Sequence, residues 1–265
     1  MTGPGGDDDA APAGGALRLA LDPRRVLLWL PALVLLISVT SLLSRLLVIT
    51  PELDSSVLRG LSWLVQVDAE ETIPTWLQAV WLAACAAALW TVADAVRARR
   101  ERWSRHWRLL AAVFAFLSVD EVVGLHERLT APVRDALGLG GALYYAWVVV
   151  AVPLVVVLLL VLLPFLLALP RRTLATFVAA GAVFVLGAVG LEMSGAALSQ
   201  AEGVAGVGYA VLVTVEEFLE MLGVVLFLAA VADHGQRQLG LVPGPAARRA
   251  EEGAGLAGLS RRSAG

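Results

Sequence analysis

The chain has 265 residues, of which 58% are hydrophobic and 16% charged, and its mean hydropathy is +0.78. Soluble domains carry fewer apolar residues than this, and a net charge of −3 gives no basic surface for nucleic acid. Cys85 is the single cysteine, which excludes a disulfide or a cysteine-based zinc site within one chain. The composition therefore predicts an all-α, polytopic membrane helix bundle whose partner is the lipid bilayer.

Six apolar stretches are long enough to cross a bilayer, whose core of about 30 Å needs roughly 20 helical residues. They are residues 26–48, 76–96, 107–127, 143–169, 174–198 and 207–231. Together they predict a six-helix transmembrane domain over residues 26–232. The flanking residues, 1–25 and 233–265, are rich in Gly, Ala, Pro and charge without apolar periodicity, which predicts two disordered tails.

The arginines between the spans predict the orientation. Short cytoplasmic loops are enriched in positive charge, whereas the other loops of this chain are acidic or nearly neutral. The arginine-rich connections carry Arg97, Arg99, Arg100, Arg102, Arg105 and Arg108 after the second span, and Arg171 and Arg172 after the fourth. Both termini, and with them both tails, are therefore expected in the cytoplasm. The chain has no Lys and no Asn, a bias typical of AT-poor genes, which indicates a bacterial inner or plasma membrane.

Ionisable side chains are concentrated in three of the spans. A charge at the centre of a bilayer costs about 2.5–3.5 kcal/mol on insertion scales, so such groups normally face a partner, a metal or a water-filled cavity. The third span contains Asp120, Glu121, His126 and Glu127, the fifth contains Glu192, and the sixth contains Glu216, Glu217 and Glu220. Three helices thus each offer a carboxylate to one interior site.

The depth of these groups places them together in the outer half of the membrane, because a helix rises about 1.5 Å per residue. Asp120 and Glu127 fall on one stripe of the third span, with Gly124 between them. Glu121 and His126 fall on opposite flanks of that stripe. Both can join one site only if the third span bends near Gly124.

Carboxylates and an imidazole from separate helices predict a site for a divalent metal such as Zn, Fe or Mn. Such a metal site would face the extracytoplasmic side and serve a membrane-embedded enzyme acting on a small-molecule or lipid-like substrate. The candidate ligands are Asp120, His126, Glu127, Glu192, Glu216 and Glu220.

The same groups also allow two alternative functions, which rank behind the metal site. They could pass protons in a proton- or cation-coupled transporter of a small solute, or hold helices together in a non-catalytic scaffold. Glu121 and Glu217 are further candidates for the site. Arg45, near the outer end of the first span, is a candidate ion-pair partner for either of them.

One segment of the third span carries a resemblance. Leu117-Ser118-Val119-Asp120-Glu121, followed by Leu125-His126-Glu127, resembles a segment that recurs in uncharacterised multi-pass membrane proteins of bacteria. The resemblance implies a multi-pass membrane fold and implies no activity.

Overall fold

The computed structural model describes residues 21–50 and 55–241, and these ranges are helical and contain no strand. A 3₁₀ turn, Gly141–Leu143, precedes α6, and a π-helical segment, Leu186–Leu191, joins α7 to α8. The α-helices are α1 Pro23–Ile49, α2 Ser56–Leu64, α3 Ile73–Ala98, α4 Ser104–Val123, α5 Leu125–Leu137, α6 Trp147–Ala168, α7 Arg171–Val185, α8 Glu192–Glu202 and α9 Val207–Leu239.

The helix ends follow from local capping chemistry. The side chains of Asp22, Ser55 and Thr72 accept hydrogen bonds from the first exposed backbone N–H groups of α1, α2 and α3. At the other end, Gly124 and Gly240 take left-handed backbone angles that end α4 and α9. These signals fix where α1, α2 and α3 begin and where α4 and α9 end, independently of the apolar pattern.

Helix α9 is the central element of the bundle. It contacts α1, α3, α7 and the π-helical segment, and α3 in turn packs along α4. Side chains such as Met221, Val225 and Leu228 on α9 are almost fully buried against Leu82 and Leu89 of α3. A helix enclosed on several sides directs its polar side chains into the protein, and the three glutamates of α9 are among them.

Two glycines allow α9 and the α7 region to approach until their backbones touch. A Cβ atom added at Gly223 would lie 2.8 Å from the backbone nitrogen of Phe184, and one at Gly187 would lie 2.8 Å from the carbonyl oxygen of Glu216. Any larger residue must therefore push the two elements apart. Small residues serve this purpose in many membrane helix pairs.

Helix α6 packs on the bundle mainly through its second half. Phe165 is fully buried, its ring 5.0 Å from that of Trp107, and Leu162 is buried beside it. In the first half, Val155 and Val156 line a cavity instead of a packed core. The bundle is therefore densely packed at the end that contains Trp107, whereas the other end contains a cavity.

The membrane character of the chain is confirmed, although the number of spans is not fixed by helix length and composition. Four helical stretches are long and apolar enough to cross a bilayer, namely α1, α3, α6 and the continuous stretch Arg171–Ala201. The pair α4 and α5, bent by 76°, would be a fifth if it forms a single span.

The helices at both termini extend further than the sequence indicates. Helix α9 continues to Leu239, past residue 232, because Gln236 donates to the carbonyl oxygen of Leu21 at 2.9 Å and Arg99 donates to that of Leu239 at 2.7 Å. Helix α1 already begins at Pro23. Most of the two predicted disordered tails, residues 1–20 and 242–265, lies outside the described residues.

The first prediction concerns the glycine contact between α9 and α7. We expect Gly223→Ala to lower the melting temperature of the purified protein, because overpacking typically costs about 1–3 kcal/mol. The matched control is Gly181→Ala on α7, where an added Cβ meets no atom within 4 Å. There the better helix propensity of Ala, worth about 1 kcal/mol, should keep or raise the melting temperature. Equal melting temperatures for the two variants would contradict the close contact.

Candidate functional site

Helices α3, α4, α5, α6 and α9, with the α7–α8 stretch, enclose a cavity of about 730 Å³. It lies at the end of the bundle that carries α2 and α5. Nine carboxyl side chains line it: Asp68, Glu70, Asp120, Glu121, Glu127, Glu192, Glu216, Glu217 and Glu220. Among the described lining residues, His126 is the one that can carry a positive charge. The cavity is therefore strongly biased toward hydrogen-bond acceptors and negative charge.

A break between α4 and α5 forms one wall of the cavity. Gly124 has φ 62° and ψ 44°, angles that favour glycine, and the two helices meet there at 76°. The turn brings His126 back onto Asp120, with Nδ1 2.8 Å from Oδ2 and the backbone N–H donating to Oδ1 at 3.1 Å. The bend is the condition under which His126 and Glu121 can share one site, and both line the cavity.

The π-helical segment places Glu192 on the opposite wall. A π turn contains an extra residue, so it rotates the side chains that follow, and such turns are frequent at functional sites. Glu192 is the first residue of α8, directly after this segment. Trp147 on α6 donates its indole N–H to Glu192 Oε1 at 3.0 Å.

Two pairs of carboxyl groups are in hydrogen-bond contact. Glu192 contacts Glu216 across the cavity, and Glu70 contacts Glu127 nearer the loops. An ionised carboxylate can only accept a hydrogen bond, so each pair is held together only while one member carries a proton. Each contact is therefore a place where a proton or another cation can bind between two carboxyl groups.

Gln78, on α3, links α4 and α9 through one acid of each helix. Its side-chain nitrogen donates to Glu121 Oε2 at 3.3 Å and also hydrogen-bonds Glu220. The residue is 2% exposed, and its Oε1 has no hydrogen-bond partner among the described residues. A buried amide oxygen without a donor is uncommon, because leaving it unpaired costs about 1–3 kcal/mol.

A smaller cavity of about 490 Å³ forms the mouth of the first. The two cavities share Asp68, Glu70, Glu127 and Tyr209, so they are continuous toward the loops. Arg45 lies at this mouth, where it donates to Asp68 Oδ2 at 2.7 Å.

Arg45 does not neutralise the candidate acids of the third and sixth spans. The sequence suggests it as a partner for Glu121 or Glu217, but it binds Asp68 and the carbonyl oxygen of Val204, at 2.9 Å. The reason is the loop after α2, whose fold the sequence does not reveal and which brings Asp68 to the C-terminal end of α1. Arg45 consequently lines the mouth and not the larger cavity.

The structure brings the other sequence-derived site residues to one cavity wall or another. These are Asp120, Glu121, His126, Glu127, Glu192, Glu216, Glu217 and Glu220. Sequence reasoning missed Gln78, although a lone amide inside an apolar span was a signal for it. It also missed Trp147, because nothing in the sequence shows that the indole N–H reaches Glu192.

The side chains suit a divalent metal by type but not by arrangement. Carboxylates and one imidazole are the ligands that Zn, Fe and Mn accept in helical proteins. Within the described ranges, no three His, Cys, Asp or Glu side chains stand together as a group that could hold a metal ion. The nearest fragment of a metal site is His126, whose Nδ1 is engaged by Asp120 while Nε2 faces away from that bond.

Comparison with known proteins identifies a family but no activity. No curated protein and no solved structure matches the chain. A family model described as a domain of unknown function, DUF8692, matches residues 26–234, which include every side chain that lines the cavity. Because this match covers most of the sequence, the chain belongs to the DUF8692 family.

Proposed function

We propose that the protein crosses a bacterial inner membrane six times and keeps both termini in the cytoplasm. Helix α9 is the further span beside the four or five stretches described above. It has 33 residues, which at 1.5 Å per residue extend about 50 Å. The contact of Gln236 with Leu21 puts the start of α1 and the end of α9 at one end of the bundle. An even number of crossings follows from that contact.

The arginines support the same orientation. Arg99, in the connection between α3 and α4, and Arg172, at the start of α7, both bind the last turns of α9, the latter through Asp233 at 3.2 Å. The arginine-rich connections therefore lie on the same side as the start of α1 and the end of α9. The positive-inside rule assigns that side to the cytoplasm. The mouth of the cavity, with Arg45 and Asp68, then opens to the extracytoplasmic side.

We further propose that the cavity binds a cation in exchange for a proton and that the protein is a proton-coupled carrier of a small cationic solute. The observation that carries this proposal is the contact between Glu192 and Glu216 in a cavity that no arginine lines. The proton that joins these two carboxyl groups can be displaced by another cation that binds both. Competition between proton and solute for one pair of carboxyl groups is the basis of coupled exchange.

The backbone around the cavity supports a carrier as well. Transporters often build their sites from interrupted membrane helices near the middle of the bilayer. Here two interruptions, the Gly124 break and the π-helical segment before Glu192, both lie at the cavity. These are the points at which the helices can change direction without unpacking the α3–α9 core.

A metal-dependent membrane enzyme for a lipid-like substrate is the second candidate function. It is favoured by the His126–Asp120 pair, because histidines that bind metals commonly donate their other ring nitrogen to a carboxylate. Zn, Fe or Mn would then be held by His126 Nε2 with acids from the proposed ligand set, Asp120, Glu127, Glu192, Glu216 and Glu220. Lewis-acid activation of the substrate is the chemistry that such an ion supplies.

The topology is tested with reporter fusions. A reporter fused after Arg102 should be active only in its cytoplasmic form, and one fused after Asp68 only in its exported form. A fusion after Asp135, on α5, should behave like the Asp68 fusion because the α4–α5 pair crosses the membrane once. Cytoplasmic activity at Asp68 or Asp135 would contradict six crossings in this orientation.

The exchange of a proton for a cation is tested by proton release. Addition of Na⁺, Mn²⁺ or a small alkylamine to weakly buffered, detergent-purified protein should acidify the solution in proportion to cation binding. Glu192→Gln and Glu216→Gln should each abolish most of the release, because one carboxyl group of the pair is gone. Asp135→Asn is the matched control, since this carboxyl is 75% exposed on α5 and lies outside the cavity. Cation binding without proton release in the parent would contradict a coupled carrier.

Metal content and melting separate the two candidate functions. For the carrier, we expect the purified parent to hold no stoichiometric metal, and Asp120→Asn and Glu216→Gln to melt at or above the parental temperature, because a buried charge is removed. For the metal enzyme, the same changes would abolish bound metal and lower the melting temperature. Elemental analysis and thermal unfolding of the three proteins decide between these outcomes. Variants as stable as the parent, together with a parent that releases no proton on cation addition, would indicate a scaffold.

A further inference from the structure

The size of the cavity argues against a bare inorganic ion as the solute. A volume of about 730 Å³ lies within the 300–1,000 Å³ that sites for small organic molecules usually occupy. A metal ion needs only its few ligands at about 2 Å, and a proton needs no volume at all. The cavity thus has room for a molecule of ten or more non-hydrogen atoms.

The lining divides the cavity into a polar and an apolar part. The acids of α4, α8 and α9 and the amide of Gln78 form the polar part. The apolar part is contributed largely by α6 and the α7 region, and it includes Val152, Val155, Val156, Phe184 and Val189. Apolar surface that remains unpacked in a site favours an apolar group on the ligand, at about 25 cal/mol per Å² of surface covered.

The polar part of the cavity presents hydrogen-bond acceptors, so a ligand that binds there has to supply a hydrogen-bond donor. Ionised carboxylates only accept hydrogen bonds, and the Gln78 nitrogen is already turned toward Glu121 and Glu220. The atom that remains is Gln78 Oε1, an acceptor without a partner on a residue that is 2% exposed. After a rotation of the Gln78 amide toward the cavity, an N–H group of the ligand would satisfy this oxygen and a carboxylate at the same time.

We propose that the solute is a protonated amine with an apolar tail, whose ammonium group binds among Glu192, Glu216 and Gln78 and whose tail lies against the valines of α6. An ammonium group supplies both the positive charge and the N–H donors, whereas a metal ion supplies no donor and a neutral alcohol no charge. This inference rests on the proposed function, because the ammonium takes the place of the proton between Glu192 and Glu216.

The test uses the full-length protein in detergent and three matched probes, 4-phenylbutylamine, the neutral 4-phenylbutan-1-ol and the tail-less propylamine. Binding is measured by calorimetry, and proton release is recorded in parallel. We expect 4-phenylbutylamine to bind at least about tenfold more tightly than either of the other probes, since each lacks one of the two contributions. Equal binding of the alcohol would overturn the role of the charge, and equal binding of propylamine would overturn the role of the tail.

Variants locate the site. Glu216→Gln and Glu192→Gln should each weaken 4-phenylbutylamine binding about 10- to 100-fold, the usual loss when a charge-assisted hydrogen bond is removed. Gln78→Leu should weaken it by about tenfold, whereas Asp135→Asn should leave it unchanged. Val156→Phe, which fills the apolar part, should weaken 4-phenylbutylamine binding but not propylamine binding. The two glutamate variants provide independent tests if one of them does not fold.

The outcomes distinguish this inference from the proposed function. If Mn²⁺ or Na⁺ releases protons and 4-phenylbutylamine does not bind, the inference is overturned while cation–proton exchange stands. If 4-phenylbutylamine binds without proton release, and Gln78→Leu and Val156→Phe weaken it, the amine site is supported and the exchange fails. Absence of binding by every probe and ion would overturn both.

Discussion

The structure depends on the cost of placing carboxyl groups inside an apolar bundle. Lipid offers such groups no hydrogen-bond donor, so each must turn toward the interior of the protein. This requirement acts most strongly on α9, because its three glutamates share one helix. That helix must therefore lie at the centre of the bundle. Helices α4, α5 and α8 then contribute further acids to the same interior space. The cavity and the position of α9 are consequences of one constraint.

Backbone irregularity allows the other helices to reach that space. A regular α4 would carry His126 away from Asp120, whereas the left-handed Gly124 turns the chain so that imidazole and carboxylate meet at 2.8 Å. A regular α7–α8 helix would rotate Glu192 away, whereas the π segment sets it beside Glu216 and within reach of Trp147. The close packing at Gly187 and Gly223 then holds this irregular stretch against α9. Local departures from ideal geometry therefore concentrate where the polar groups meet.

The sequence predicted the membrane class and the residues around the cavity because both depend on local signals. Apolar length identifies a span, and a carboxylate inside a span identifies an interior-facing position. The condition set for His126 and Glu121, a bend at Gly124, could also be stated from helix geometry alone. The six crossings remain a prediction, because the length and apolarity of the helices establish four spans, or five with the bent pair.

What the sequence could not predict depends on contacts between residues far apart in the chain. The π segment has no distinctive composition, and Trp147 binds Glu192 across 45 residues. Arg45 finds Asp68 only because the loop after α2 folds over the end of α1. The last two turns of α9 are helical because Arg99 binds the carbonyl oxygen of Leu239 and because Gln236, within these turns, binds that of Leu21, and not because their sequence is apolar. Each of these features is determined by tertiary packing, which the periodicity of the sequence does not show.

The use of arginine argues that the acids of the cavity do more than hold helices together. The chain has 20 cationic residues, all arginine, and several of those in the described ranges neutralise acids at the ends of the bundle. Arg45 binds Asp68 at 2.7 Å, Arg108 binds Asp94 at 3.0 Å and Arg237 binds Asp233 at 2.7 Å. A scaffold would gain from the same pairing inside, where an uncompensated charge costs most. Within the described lining of the cavity there is no arginine and His126 is the one basic side chain beside nine carboxyl groups, so protons or a bound cation are needed to compensate the rest.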